Sequence, residues 1–288
     1  MNGLSTSSKE LLAQLSHHED YQDPFKRVNW LRLNRETYWL PEEALSLIGV
    51  PEFEELSESQ RKLLSQLEFL HTLEAGLWLE GLFMERLSRS ACYAGKNLAL
   101  LKFHLNQLRE EAGHSLVFAE IIHRSGLARV PTQFSKLSWM NRLGRYAPMN
   151  SMVFWLAVMV GEEIPDRLNR FIRQHRNSIC PAIYDVATFH AIDEARHISF
   201  SRRMVAARAK QMSPLRARVL TPMLQRLLNQ FLRRYFYPEP GLYDLAGLSP
   251  GVAWATLARN NPQRLQFVRK QVAGVLRHLN DMGFDLRY

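Results

Sequence analysis

His190, Glu194 and His197, in the stretch TFHAIDEARHISF, are separated by four and three residues. On an α-helix this spacing puts all three along one stripe. A solvated helix face mixes Lys and Arg among its acids, whereas two imidazoles and a carboxylate on one stripe make half of a metal site. A second Glu-x2-His pair, Glu111 and His114 in REEAGHSLVF, places its histidine 83 residues before His197. Oxygen-rich ligation with a few imidazoles suits iron or manganese better than zinc–thiolate chemistry. Four carboxylates neutralise most of the charge of two metal ions and can bridge them.

Two further acids complete the pattern. Glu163 follows the apolar run VFWLAVMVGE, where an unpaired carboxylate is costly, and Glu74 stands in HTLEAGLW. The basic set is Glu74, Glu111, His114, Glu163, Glu194 and His197, with His190 a seventh candidate one turn before Glu194. Glu80 in GLWLEGLF rivals Glu74, and Glu162 rivals Glu163. Arg109, Asp193 and Arg196 are candidates to orient the imidazoles, although each taken singly reads as an ordinary surface position. Trp78 and Trp155 read as core.

These residues need long helices to position them. Ser57 precedes an apolar-periodic run that predicts a helix of about 30 residues. The turn SACYAGKN, with Gly95, leads to a helix over 97–125 that stops at Gly126. A connection over 127–148 follows, and then a helix over 150–177, apolar all round in its first half and therefore central. Pro165 predicts a kink in it. Pro181 opens a helix to about 211 that carries the His190 stripe. A basic helix over 215–236, a turn-rich link FYPEPGLYDLAGLSPG and a last helix from Pro262 to Met282 follow. Residues 1–20 read as a frayed start and 21–56 as short helical pieces and loop. The motif of a Glu-bearing long helix, a turn and a Glu-x2-His helix thus occurs twice. Its acids are 37 residues apart for Glu74 and Glu111, and 31 for Glu163 and Glu194. The fold class is all-α, a four-helix bundle with additional N- and C-terminal helices. Residues 1–288 form a single domain, its core about 57–211, with 212–288 as a C-terminal helical extension.

Composition is that of an ordinary globular chain, 46% hydrophobic and 23% charged. Two cysteines, Cys92 and Cys180, form no C-x-x-C, which argues against a disulfide framework and for a reducing cytoplasm. The first twenty residues lack the apolar region of a signal peptide. The run Met152 to Gly161 is too short to span a bilayer, so no membrane partner is expected. A formal net charge of +9 and a pI near 9.8 describe a solvated basic surface that also suits an acidic partner protein. No nucleic-acid motif accompanies the charge, and nucleic acid is not an expected partner.

TLEAGLWLEGLF, EEAGH, VFWLAVMVGEE and above all ICPAIYDVATFHAIDEARH resemble the p-aminobenzoate N-oxygenase (AurF-like) diiron family over about residues 60–205. The extra histidine of the H-x3-E-x2-H stripe distinguishes that family among ferritin-like diiron proteins. The resemblance implies Glu74 over Glu80, Glu163 over Glu162, and His190 as a third histidine ligand. It also implies two iron ions (or manganese), O2 as co-substrate and a homodimer. The reaction it implies oxidises an amine to hydroxylamine, nitroso or nitro. Electrons come from an external reductase or ferredoxin, because no flavin or nicotinamide fingerprint is present. The substrate is a small-molecule amine, free or presented on an acidic carrier protein. The ribonucleotide reductase small subunit shares the bundle but places a radical Tyr four residues after the first histidine, where this chain has Phe118. The alternatives on the same bundle are a diiron hydroxylase or desaturase acting at carbon, and a non-catalytic metal-binding helical protein.

Overall fold

The computed structural model describes residues 21–92, 97–130, 138–149 and 151–288. Nearly all regular structure among them is helical, and the one extended pairing is a bridge between Tyr38 and Ile179. The fold is an all-α, ferritin-like bundle. Its core helices are α1 (Glu58–Cys92), α2 (Leu98–Ser125), α4 (Met152–Gln174) and α5 (Pro181–Ala209), with α3 (Ser138–Tyr146) before α4. Two long helices, α6 (Pro214–Phe236) and α9 (Pro262–Asp281), and the shorter α7 (Pro240–Leu245) and α8 (Gly251–Asn260) between them follow.

Sequence chemistry sets the helix ends. Ser57 and Gln60 form a capping box, the Ser57 hydroxyl accepting from Gln60 N and the Gln60 side chain accepting from Ser57 N, both at 3.3 Å. Asn97 caps α2 and Ser151 caps α4, each accepting from the amide three residues on. Gly126 closes α2 at φ +61°, a left-handed conformation that glycine adopts without a Cβ penalty. Pro165 lies inside α4 and lacks the amide that would bond the Gly161 carbonyl, next to Glu162.

α1 packs along α2 and α4 along α5, and the two pairs meet through α1 with α4 and α2 with α5. α6 covers α1, α9 covers α4, and a 3-10 turn at Pro24–Arg27 lies on α2 and α5. A buried polar knot ties the outer layer to the bundle. Ser46 N donates to Glu68 of α1 at 3.1 Å, the Ser46 hydroxyl lies 2.9 Å from the Tyr243 hydroxyl, and Asn261 donates to the Ser46 carbonyl at 3.1 Å.

The structure corrects two expected connections. The link over 127–148 contains α3, which is too short to show a long apolar period but seats its Gly144 closely against Leu82 of α1. The tail link contains α7, nucleated by Pro240 at a first helical turn, and α8 fills the stretch between that link and the last helix, its start held by Asp244, which accepts from Gly251 N at 2.8 Å. The expected turn at Gly95 and the frayed start over 1–20 lie outside the described residues. Among the described residues no helix is long and apolar enough to cross a membrane.

Candidate metal centre

Helix periodicity aims the ligating residues inward. On α1, Glu80 shares a stripe with Leu73, Gly76, Phe83 and Leu87, which face the bundle. Glu74 stands six residues earlier, about 120° round the helix. On α2, Glu111 and His114 are fully buried, as is Glu194 on α5, with His190 and His197 nearly so. Glu80, His114, His190 and Glu194 bring one ligand atom each within 4.8 Å of one another, and Glu111, Glu194 and His197 do the same. Glu194 belongs to both sets.

The distances are those of atoms converging on shared points. His114 Nδ1 lies 3.3 Å from Glu194 Oε1, 3.4 Å from Glu111 Oε2 and 3.8 Å from Glu80 Oε1. His190 Nε2 lies 3.5 Å from Glu80 Oε1 and 3.7 Å from Glu194 Oε1. His197 Nδ1 lies 2.9 Å from Glu111 Oε1 and 3.1 Å from Glu194 Oε2. Yet both Glu111 oxygens, His114 Nδ1 and Glu194 Oε1 are buried without a hydrogen bond of acceptable geometry. Buried polar atoms are normally satisfied. Lone pairs that crowd together without bonding each other are the arrangement a cation fits.

Electrostatics gives the same answer. Burial, then the neighbouring Glu80 carboxylate, pushes Glu111 up to about 8. Burial and the carboxylates of Glu194, Glu111 and Glu80 hold Glu162 well above the ordinary range, and Glu162 hydrogen-bonds Glu194. Burial opposes the charged imidazoles, but at His114 the nearby carboxylates of Asp193, Glu111 and Glu80, with Glu194 behind them, outweigh it. At His197 the charges of Glu194 and Glu111 do the same, so both rings are raised. For Glu194, burial is outweighed by His197, His190 and His114, which hold it down at about 2. The cluster therefore gathers protons where a carboxylate-rich pocket calls for positive charge, and two divalent ions supply that charge in their place.

The far nitrogens are oriented by a reciprocal crossing. Asp193, next to Glu194 on α5, accepts from His114 Nε2 of α2 at 3.4 Å, and Glu110, next to Glu111 on α2, accepts from His197 Nε2 of α5 at 2.9 Å. Arg196 joins Glu110 at 3.0 Å, Arg27 joins Asp193 at 2.9 Å, and the Asn169 amide lies 3.0 Å from His190 Nδ1. Such partners fix ring tautomer and orientation. Of the residues considered for this role from sequence, Asp193 and Arg196 are in place, while Arg109 stacks over the Tyr21 ring at 4.0 Å. Glu110, Arg27 and Asn169 were missed. Glu110 was readable, because both halves share an acid immediately before the Glu of Glu-x2-His.

Five of the seven predicted positions, Glu111, His114, His190, Glu194 and His197, come together. Glu74 and Glu163 do not. Glu74 pairs with Arg129 at 3.3 Å, and Glu163 with Arg202 at 2.6 Å. Glu80 takes the position expected of Glu74, while Glu162 stands outside both ligand sets and hydrogen-bonds Glu194 beside them. Glu162 precedes Glu163 by one residue, about 100° of helix rotation, which separates the cluster from Arg202.

An apolar cavity of about 140 Å³ borders Glu162 and is lined by α1, α3, α4, α6 and the C-terminal residues Leu279 and Leu286. A smaller one of about 40 Å³ touches Glu80, Glu162 and His190 from the Phe118 side.

Comparison with known proteins finds relatives of this chain. Uncharacterized proteins of Mycobacterium bovis and Mycobacterium tuberculosis are 26% identical to it over 141 residues, which is 49% of this chain and 41% of theirs. The chain thus spans less than half the length of these curated relatives. The p-aminobenzoate N-oxygenase AurF family matches residues 5–283, well beyond the 60–205 expected from the motifs. The chain belongs to the p-aminobenzoate N-oxygenase AurF family.

Proposed function

We propose that the protein is a non-haem diiron oxygenase that inserts an oxygen atom into an N–H bond of an amine. The observation that carries this reading is the sharing of Glu194 between two buried Glu/His sets, within a member of an N-oxygenase family. Glu80, His114, His190 and Glu194 would hold one ion. Glu111, Glu194 and His197, with Glu162 beside them, would hold the other. Bound iron supplies the redox chemistry that activates dioxygen.

The chain's own residues do the rest. Four carboxylates match the charge of two divalent ions. Asp193 and Glu110 accept from the Nε2 atoms of His114 and His197 and so keep the Nδ1 lone pairs directed at the centre. Leu79, Phe83, Leu156 and Val160 exclude bulk water from the cavity beside Glu162. Overall, an amine, O2, two electrons and two protons give a hydroxylamine and water. The electrons come from an external reductase or ferredoxin, and a homodimer is the working assembly.

The test is to load the purified protein anaerobically with Fe(II), count the metal, admit O2 and analyse a panel of amines for hydroxylamine and nitroso products. About two irons per chain and an O2-dependent N-oxygenated product are expected. Zero or one iron, or oxidation confined to carbon, overturns the reading.

A further inference from the structure

The surface over the ends of α6, α8 and α9 carries an open groove of about 820 Å³. Arg233 of α6, Arg259 of α8, Arg269 of α9 and Arg287 line it, and all four are exposed. No acidic side chain lines it. Arg287 pairs with Asp285 at 2.9 Å, and Arg269 Nε donates to the Tyr288 main-chain oxygen at 3.1 Å. No carboxylate pairs with Arg233 or Arg259 among the described residues. Tyr237 and Tyr288, which also line the groove, hydrogen-bond each other. Like charges gathered in one depression repel, and such a patch attracts an anionic surface and speeds its encounter. Tyrosines beside arginines are the side chains that anchor protein interfaces.

Packed rings join this groove to the metal centre. The Arg264 guanidinium lies over Tyr237 and Phe236, its Cζ 5.8 Å and 5.5 Å from their ring centroids. Arg264 Nε donates to the Phe236 carbonyl at 3.1 Å, which fixes the stack. The Phe236 ring stands edge-on to Tyr235, 4.9 Å between centroids. Tyr235 is 4% exposed and lines the small cavity that Glu80, Glu162 and His190 also touch. Electron tunnelling weakens steeply across empty space and least through packed, bonded atoms. Charge alone would suit any anion. The column from Tyr237 to Tyr235 is what favours an electron carrier as the occupant.

We propose that an acidic one-electron carrier protein docks in this groove, its acidic face on Arg233, Arg259, Arg269 and Arg287 and its redox group over Tyr237. This deepens the oxygenase reading by placing the electron donor, and rests on that reading for the use of the electrons but not for the docking. Each docking oxidises the carrier by one electron and reduces the ferric pair by one. Two dockings therefore supply the two electrons that each oxygenated N–H bond consumes. Encounters of this class bury little surface and are transient, so charge carries most of the recognition.

Calorimetric titration of the full chain with an oxidised, strongly acidic plant-type ferredoxin reads docking without turnover. Affinity is expected to fall about tenfold or more between about 0.01 M and about 0.15 M ionic strength, as the Debye length shrinks from about 30 Å to about 8 Å. Arg233→Glu combined with Arg259→Glu should weaken binding about ten- to a hundredfold with unchanged thermal stability, since both side chains are exposed. Arg216→Glu combined with Arg218→Glu makes the same change of net charge at exposed positions about 22 Å away along α6, and should leave binding as it was. With iron loaded and oxidised, stopped-flow reduction by a low concentration of reduced ferredoxin should slow by the same factor in the groove variant alone. Reduction by methyl viologen, a small cation with no acidic face, should not distinguish the two variants. Ferredoxin that fails to bind the unaltered chain, equal binding or equal ferredoxin-driven reduction by the two double variants, or a short single-stranded RNA that binds the groove more tightly than ferredoxin each overturn the proposal. Ferredoxin that docks at the groove of a chain that oxidises no amine leaves the docking surface standing and removes the oxygenase reading.

Discussion

Replacing Glu80 and Glu74 separately by glutamine distinguishes two assignments that sequence spacing leaves in competition. Glu80 is 5% exposed and lies within 3.5–3.8 Å of His114 and His190. Its loss removes an anionic ligand atom from one of the two sets. Losing an outer partner of a metal-bound histidine already costs 10- to 100-fold in affinity. A direct carboxylate ligand therefore costs at least about 100-fold, or about 2.7 kcal/mol. Glu74 instead faces Arg129, whose side chain is 51% exposed. An ion pair with one partner so exposed contributes at most about 1 kcal/mol to stability and nothing to metal affinity. The same holds for Glu163 and Arg202, 42% exposed. Metal counting by plasma mass spectrometry after dialysis against a weak chelator should give about two ions per chain for Glu74→Gln and Glu163→Gln. It should give about one for Glu80→Gln and none for Glu194→Ala, since Glu194 serves both sets. If Glu74→Gln falls to one ion while Glu80→Gln keeps two, the placement of the site on α1 is wrong and the argument from convergent lone pairs falls with it.

Two further outcomes follow from groups around the centre. Asp193→Asn keeps the shape but weakens the acceptor for His114 Nε2, and should lower metal affinity by about 10- to 100-fold with little change in helix content, read by competition with a chelator. His104 is buried, its Nδ1 has no partner, and burial lowers it to about 4. A histidine depressed in the folded state leaves stability intact above its unfolded value near 6.5 and loses it as pH falls toward 4. His104→Leu should therefore narrow the gap between urea stabilities at pH 7 and pH 5 by about 2 kcal/mol. An unchanged gap would mean that the ring is not buried as a neutral group.

The helical order and much of the site were legible because helix chemistry is local. Capping residues at Ser57, Asn97 and Ser151, prolines at the starts of α5, α6 and α9, and the His190–Glu194–His197 stripe each act within one or two turns. What failed was rotation. Glu162 and Glu163 are adjacent, equally apolar in context and differ only in which neighbour each meets. That neighbour, Arg202, is 39 residues away. Glu74 and Glu80 posed the same problem on α1, where a long run of leucines surrounds both acids and hides which face is central. The helices over 138–146 and 251–260 were illegible for another reason. Each is short and is held by packing on distant elements rather than by its own period.

The crossing of Glu110 to His197 and of Asp193 to His114 has a thermodynamic consequence. Each helix supplies the acid that sets the other helix's imidazole, and Glu194 is common property. An ion arriving at either position straightens rings and carboxylates that the second ion will need, so part of the ordering cost falls on the first arrival alone. Loading is then positively cooperative, with half-filled chains scarce at intermediate metal concentrations. By reciprocity, each bound ion raises its neighbour's affinity by the same factor.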